Sequence, residues 1–118
     1  MILMSEDTPS ISIFFSDEFK NRLRILAKRY RSIRNDLQPL IDQLQLGNFI
    51  GDQISGTKYT VFKVRLKNSD IQKGKSSGYR VIYQLQNNSC ILMILIYSKS
   101  DEADISATQI REIIERFR

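Results

Sequence analysis

The sequence predicts an α+β domain in which helices flank a mostly antiparallel, four-stranded sheet. Three observations predict this fold class. Apolar residues alternate with a period of two in short segments, and they recur with a period near 3.6 in three longer segments. The last three strand-like segments follow one another without a helix between them, as in an antiparallel meander. The predicted order of elements is therefore β-α-α-β-β-β-α.

Residues 1–10 are predicted to form a flexible leader and residues 11–118 a single domain, because 118 residues suit one hydrophobic core. The first predicted strand is the apolar run ISIFF at residues 11–15. Ser16 then suits the N-cap of a helix. That helix has a basic face and an apolar stripe, which is formed by Phe19, Leu23, Leu26, Ala27 and Tyr30. The basic face fits either a solvated surface or a contact with nucleic acid or a protein partner.

A second helix is predicted after a tight turn at residues 30–32, with Ser32 as its N-cap. Its apolar positions are Ile33, Leu37, Leu40, Ile41 and Leu44. Pro39 lies inside this pattern, so the helix either kinks there or begins just before it. The following residues, 47–56, are predicted to form a loop punctuated by glycine.

Residues 58–81 form the most basic segment, with seven of the 18 Lys and Arg residues and a single acid. The segment is predicted to be a β-hairpin with a basic loop. Alternation along its first strand separates an apolar face from a basic face, which carry Phe62, Val64 and Leu66, and Lys63, Arg65 and Lys67, respectively. Because like charges in a row on a rigid sheet repel one another, the basic face favours a polyanionic partner.

Two more strands and a terminal helix complete the predicted domain. The strands are residues 79–86 and 90–97, and the second is apolar on both faces, as expected of a covered central strand. Its Cys90 is interpreted as a small buried hydrophobe rather than a nucleophile. Ser106 and Gln109 are predicted to form a capping box for the last helix. The acids at positions 101, 102 and 104 are predicted to start that helix, at its positive end.

Composition excludes several classes of site. The chain has no histidine and one cysteine, which excludes a Ser-His-Asp triad, a two-histidine ribonuclease mechanism, an internal disulfide framework and a cysteine-rich zinc site. No metal or cofactor is predicted. Without an apolar window of 18 residues or a signal peptide, a cytoplasmic protein that makes no membrane contact is expected. The pI near 9.5 favours an anionic partner.

Cleavage of RNA by its own 2′-hydroxyl suits this set of residues. An arginine binds phosphate through its fork of donors, a lysine crowded by other cations can act as a base, and a tyrosine can relay a proton. The candidates for these tasks are Lys63, Arg65, Lys67, Lys73, Lys75, Arg80, Tyr97 and Lys99. Arg80 begins a strand directly after Ser77 and Gly78 and is expected to face solvent, unless it pairs with Asp101 or Glu102.

The run GKSSGYRVIYQL at residues 74–85, with FKVRLKN before it and IYSKSDEADIS after it, resembles the RelE/ParE superfamily of toxins. The similarity is greatest to RelE- and HigB-like members and follows the order of elements over residues 11–118. It is most specific in S-G-Y-R-V-I-Y and in the later Y-x-K-x-x-E-x-D. The resemblance implies a compact antiparallel sheet flanked by helices. RelE- and HigB-like members cut mRNA, typically in the ribosomal A site, whereas ParE-like members inhibit DNA gyrase.

The resemblance also implies a set of site residues. Lys63 and Arg65 match basic positions on the family's first meander strand. Arg80 matches the phosphate-stabilising arginine after S-G-Y. Tyr97 and Lys99 match the Y-x-K of HigB-like members, and all five are catalytic candidates. The remaining cations are predicted to bind RNA; they are Lys67, Lys73 and Lys75. RelE has an arginine and then a tyrosine where this sequence has Ser100 and Ser106. The resemblance therefore does not identify the general base.

The predicted function is that of a toxin of a type II toxin–antitoxin system. It is predicted to be a metal-independent endoribonuclease that cuts translated mRNA at the ribosome and is neutralised by a cognate antitoxin protein. Two alternatives stay open: a ParE-like inhibitor of DNA gyrase, and a catalytically degenerate module that only binds nucleic acid or an antitoxin. The basic strand and Arg80 favour the nuclease, whereas the missing RelE-type tyrosine favours the alternatives.

Overall fold

The structure is a computed structural model that describes residues 11–71, 77–102 and 104–117. These residues form three helices and five strands, in the α+β class that the sequence predicts. In chain order the elements are β1 (Ser12–Phe15), α1 (Asp17–Arg29), α2 (Ile33–Gln45), β2 (Asp52–Ile54), β3 (Val61–Leu66), β4 (Tyr79–Asn87), β5 (Cys90–Ser98) and α3 (Ala107–Phe117). The predicted leader at residues 1–10 and the loop residues Lys73 and Lys75 lie outside the described residues.

The strands form one mixed sheet in the order β1-β5-β4-β3-β2. β1 runs parallel to β5 and the other three pairs are antiparallel, so the sheet is mostly antiparallel as predicted. The predicted count of four strands and the order β-α-α-β-β-β-α are wrong, because β2 lies inside the predicted loop at residues 47–56. Three residues are too few to show an alternating pattern. β2 is held instead by its pairing with β3, in which Asp52 is opposite Lys63.

Two apolar cores lie on the two faces of the sheet. α1 and α2 cover one face, where they pack against Val64, Tyr79, Val81, Tyr83, Ile91, Met93 and Ile96. α3 covers the other, here called the α3 face, where it packs against Val61, Ile82, Leu92, Ile94, Leu95 and Tyr97. Because β5 contributes side chains to both cores, its prediction as a covered central strand is confirmed. Cys90 at the start of β5 is half-buried rather than fully buried.

Ser16 joins α1 to the sheet. Its Oγ accepts the backbone N–H of Phe19 at 2.9 Å, which confirms the predicted N-cap, and donates to the carbonyl oxygen of Ile94 at 2.7 Å. The side chain is buried, so both partners would lose a bond inside the protein if Ser16 became alanine. We expect Ser16→Ala to lower the free energy of unfolding by about 2 kcal/mol, measured by urea denaturation.

The matched control for this prediction is Ser106, which caps α3 at an exposed position. Its Oγ accepts the backbone N–H of Gln109 at 3.1 Å, and Oε1 of Gln109 accepts the backbone N–H of Ser106 at 3.1 Å, so the predicted capping box is confirmed. Because water can replace an exposed capping bond, Ser106→Ala should cost about 1 kcal/mol or less. If the two substitutions lowered the free energy of unfolding equally, the hydrogen bond from Ser16 to Ile94 would add no stability.

The turn between α1 and α2 is tied to the residues that follow β3. The backbone N–H of Ser32 donates to the Asp70 carboxylate at 2.9 Å. The backbone N–H and the hydroxyl of Ser69 both donate to Asp36, at 2.9 and 3.1 Å. Ser32 holds the predicted N-cap position of α2, but its side chain makes no capping bond. These contacts fix the segment that leads from β3 toward the basic loop.

Pro39 lies within α2, which begins six residues before it. The alternative prediction that the helix starts just before Pro39 is therefore wrong. The proline is exposed, and its ring replaces a backbone N–H that would otherwise bond within the helix. None of the described helices is both long enough and apolar enough to span a membrane.

Candidate nucleic-acid interface

A row of three predicted site residues crosses the three inner strands of the sheet near one end. Arg65 on β3 is directly opposite Arg80 on β4, and Arg80 is directly opposite Tyr97 on β5. Residues that oppose each other in antiparallel strands point to the same face. Since Tyr97 belongs to the core beneath α3, all three project from the α3 face. The polar face that alternation predicts for β3 therefore continues onto β4 and β5.

Two lysines flank this row. Lys63 lies two residues before Arg65 and opposite Ile82, which also belongs to the α3 face. Lys99 follows β5, and its backbone N–H donates to the carbonyl oxygen of Gly78 at 2.9 Å. The structure thus places five predicted site residues near one end of one face. We call them the β3–β5 cluster, which consists of Lys63, Arg65, Arg80, Tyr97 and Lys99.

Arg80 lies at the bottom of the cluster, because its side chain is only 6% exposed. The expectation that it faces solvent is therefore wrong. β4 is the middle strand of the three, with Arg65 opposite Arg80 on β3 and Tyr97 opposite it on β5. Its Nη1 donates to the carbonyl oxygen of Tyr79 at 3.2 Å. Arg65, by contrast, is exposed, so the cluster combines an almost fully buried arginine with an accessible one on the neighbouring strand.

The acids predicted as partners of Arg80 bind cations of α1. Asp101 forms an ion pair with Arg29, and Glu102 forms one with Arg22. These bonds hold the loop between β5 and α3 against α1. They also engage part of the basic face of α1, on which Lys20, Arg24 and Lys28 are exposed as well as Arg29.

Tyr97 is 2% exposed, and its hydroxyl has no hydrogen-bond partner in the part of the chain that the structure describes. Burial is the main cause that raises the pKa of this hydroxyl; the nearby Asp104 carboxylate raises it further, and the positive charge of Arg80 lowers it. A buried hydroxyl without a partner is costly in a folded protein. Tyr97 therefore presents the cluster with a neutral donor.

Asp104 is a member of this site that the sequence did not reveal. Its Oδ1 is 3.5 Å from Nζ of Lys63 and 3.9 Å from Nζ of Lys99. The sequence predicted that Asp104 would start the last helix together with the acids at 101 and 102, but α3 begins only at Ala107. Its place in the Y-x-K-x-x-E-x-D pattern was the available signal, although the pattern does not say which way the side chain points.

The other predicted RNA-binding residues lie at the margin. Lys67 is exposed one residue beyond the end of β3, while Lys73 and Lys75 lie outside the described residues. Within residues 11–71, 77–102 and 104–117, no group of three or more His, Cys, Asp or Glu side chains could hold a metal ion. The chemistry available here is therefore that of guanidinium, ammonium, phenol and one carboxylate.

No protein-family model matches this chain, and no curated protein matches it. Its function is therefore inferred from the residues and geometry of the β3–β5 cluster.

Proposed function

We propose that this chain is an mRNA endoribonuclease of the RelE/HigB kind and the toxin of a type II toxin–antitoxin pair. The observation that carries the proposal is the row formed by Arg65, Arg80 and Tyr97, with Lys63 and Lys99 beside it. These are the residues that the resemblance assigns to catalysis, and they come from three strands. Such a concentration of cations on a rigid face suits the phosphates of RNA.

The cluster can stabilise the transition state of RNA cleavage without a metal. When the 2′-oxygen attacks its own phosphate, negative charge develops on the phosphate oxygens. Arg65 is accessible for a first contact with the phosphate, and Arg80 lies beside it on the neighbouring strand, almost fully buried. Lys99 and Tyr97 are the groups that can give a proton to the leaving 5′-oxygen, as an ammonium and as a neutral phenol.

Inhibition of a nuclease with a basic face of this kind requires a partner that binds and covers that face. The proposed antitoxin carries an acidic, partly disordered segment that folds onto the cluster or displaces α3. α3 packs on the sheet through one apolar stripe, formed by Ile110, Ile113 and Ile114. Binding should weaken as salt rises, because the attraction is electrostatic. The proposed location is the cytoplasm, where ribosomes and translated mRNA are found.

Produced alone in bacteria, the protein is expected to arrest growth and stop translation. Mapping of RNA ends should show new cuts within translated messages, and the Arg65→Ala variant should produce fewer of them because a phosphate contact is lost. Growth arrest with intact mRNA and failed supercoiling would support a gyrase inhibitor instead. The absence of any effect on growth would support a module without catalysis.

The catalytically degenerate binding module is the second candidate, and a specific observation favours it. Both Arg80 and Tyr97 are almost fully buried, so RNA reaches them only if the surface above them moves. A protein that binds RNA through Lys63 and Arg65 but does not cut it would have this geometry. Cleavage of ribosome-bound mRNA by the purified chain decides between the two candidates.

A further inference from the structure

Asp104 bridges cations from two strands that are not neighbours. Its carboxylate contacts Lys63 on β3 and Lys99 at the end of β5, at 3.5 and 3.9 Å between the Oδ1 and Nζ atoms, and β4 lies between those strands. The side chain is 71% exposed, so a ligand in solvent can reach it. One carboxylate is thus held over the cluster from both sides.

This arrangement bears on which group accepts the proton of the 2′-hydroxyl. A lysine acts as a base near neutral pH only where its surroundings disfavour its charged form, as a crowd of other cations does. A carboxylate within 4 Å has the opposite effect. A carboxylate itself is ordinarily ionised at neutral pH and can accept a proton directly. Nζ of Lys63 and Nζ of Lys99 both face the Asp104 carboxylate, which is itself an exposed proton acceptor, so the geometry favours Asp104 over either lysine as the base.

We propose that Asp104 is the general base of RNA cleavage, an assignment that rests on the proposed nuclease function. Asp104 takes the proton of the 2′-hydroxyl, and the 2′-oxygen forms a bond to phosphorus. The bond between phosphorus and the 5′-oxygen breaks, and that oxygen receives a proton from Lys99. The products are a 2′,3′-cyclic phosphate and a free 5′-hydroxyl. Proton exchange with water then restores both side chains.

The same contacts would also suit a different role for Asp104. A carboxylate between two lysines resembles a phosphate group, so Asp104 could act as an internal competitor of RNA. The two roles give opposite results when the charge is removed. Loss of a base slows cleavage and spares binding, whereas loss of a competitor strengthens binding and does not slow cleavage. Since Asp104 is exposed, its replacement should not disturb folding.

The test compares cleavage with binding in the full chain. Single-turnover cleavage is measured on ribosome-bound mRNA, and binding is measured with the same RNA carrying a 2′-deoxy nucleotide at the cut site. Asp104→Asn should cleave about 100-fold or more slowly and bind the deoxy RNA at least as tightly as the wild type. Asp42→Asn, which changes an exposed acid of α2 on the other face of the sheet, should keep wild-type cleavage. Added formate should restore part of the rate to Asp104→Ala.

Several outcomes would overturn the assignment. If Asp104→Asn cleaves as fast as the wild type or faster, the carboxylate is a competitor and not the base. If Asp104→Asn loses binding of the deoxy RNA together with cleavage, it acts in RNA binding. If the wild type cuts no RNA at all, the nuclease function itself fails, and the assignment of Asp104 fails with it.

Discussion

Replacing Arg80 with alanine is expected to slow RNA cleavage about 100-fold or more, because one well-placed donor to a developing oxyanion is worth that much. The variant should also lose about 1–3 kcal/mol of stability, since the side chain is 6% exposed and fills space between Arg65 and Tyr97. The measurements are single-turnover cleavage on ribosomes and urea denaturation of the same preparations.

Two milder substitutions separate the chemical effect from the structural one. Arg80→Lys keeps the charge but loses the planar fork, so it should fold and still cleave poorly. Arg80→Gln keeps part of the stem without the charge, and it should cleave as slowly as the alanine variant while folding better. Arg65→Ala, at the exposed position opposite, should be as stable as the wild type within about 0.5 kcal/mol.

The role of Arg80 would be refuted by two results in particular. One is wild-type cleavage by Arg80→Lys, which would mean that the fork of donors is not used. The other is a loss of cleavage that matches the unfolded fraction in each variant, which would make Arg80 a structural residue only. In either case the exposed Arg65 and the partly exposed Lys63 would have to account for RNA binding by themselves.

Much of the fold could be predicted because its elements carry local signals. The apolar stripes of α1 and α2, the N-cap Ser16 and the capping box at Ser106 depend on residues within a few positions of one another. Alternation likewise placed Lys63 and Arg65 on one face of β3, and the structure places them there. Local patterns of this kind specify which face a side chain takes within its own element.

The features that sequence reasoning missed depend on contacts between distant segments. β2 has no pattern of its own and exists through its pairing with β3. Arg80 is almost fully buried on the α3 face, which its own neighbours in sequence do not reveal. Asp104 joins the cluster through its contact with Lys63, which lies 41 residues earlier in the sequence. Each of these is a property of topology rather than of local sequence.

Gly78, just before β4, lies so close to the backbone at the end of β3 that there is no room for a side chain. A Cβ at this position would lie 2.0 Å from the carbonyl oxygen of Leu66 and 3.3 Å from the backbone nitrogen of Asn68. Both are backbone atoms, so neither can move aside as a flexible side chain would. The carbonyl oxygen of Gly78 also accepts the backbone N–H of Lys99 at 2.9 Å, which links the start of β4 to the end of β5.

Gly78→Ala is therefore expected to lower the free energy of unfolding by about 3 kcal/mol or more. The added methyl group must push the start of β4 away from Leu66, and Arg80 lies only two residues further along the strand. Cleavage should accordingly fall even in the fraction that remains folded. Urea denaturation gives the stability, and cleavage measured per folded molecule gives the effect on the site.

The matched control is Gly47→Ala, at a glycine whose added Cβ would have its nearest neighbour at 4.0 Å, a side-chain atom of Ile11. Gly47 has a positive φ of 88°, so alanine there costs about 1 kcal/mol through backbone strain alone. It lies outside the cluster, so cleavage per folded molecule should not change. If Gly78→Ala were no less stable than Gly47→Ala, the close approach to Leu66 would not be needed to place Arg80. If it were less stable but cleaved normally when folded, the start of β4 would serve the fold and not the site.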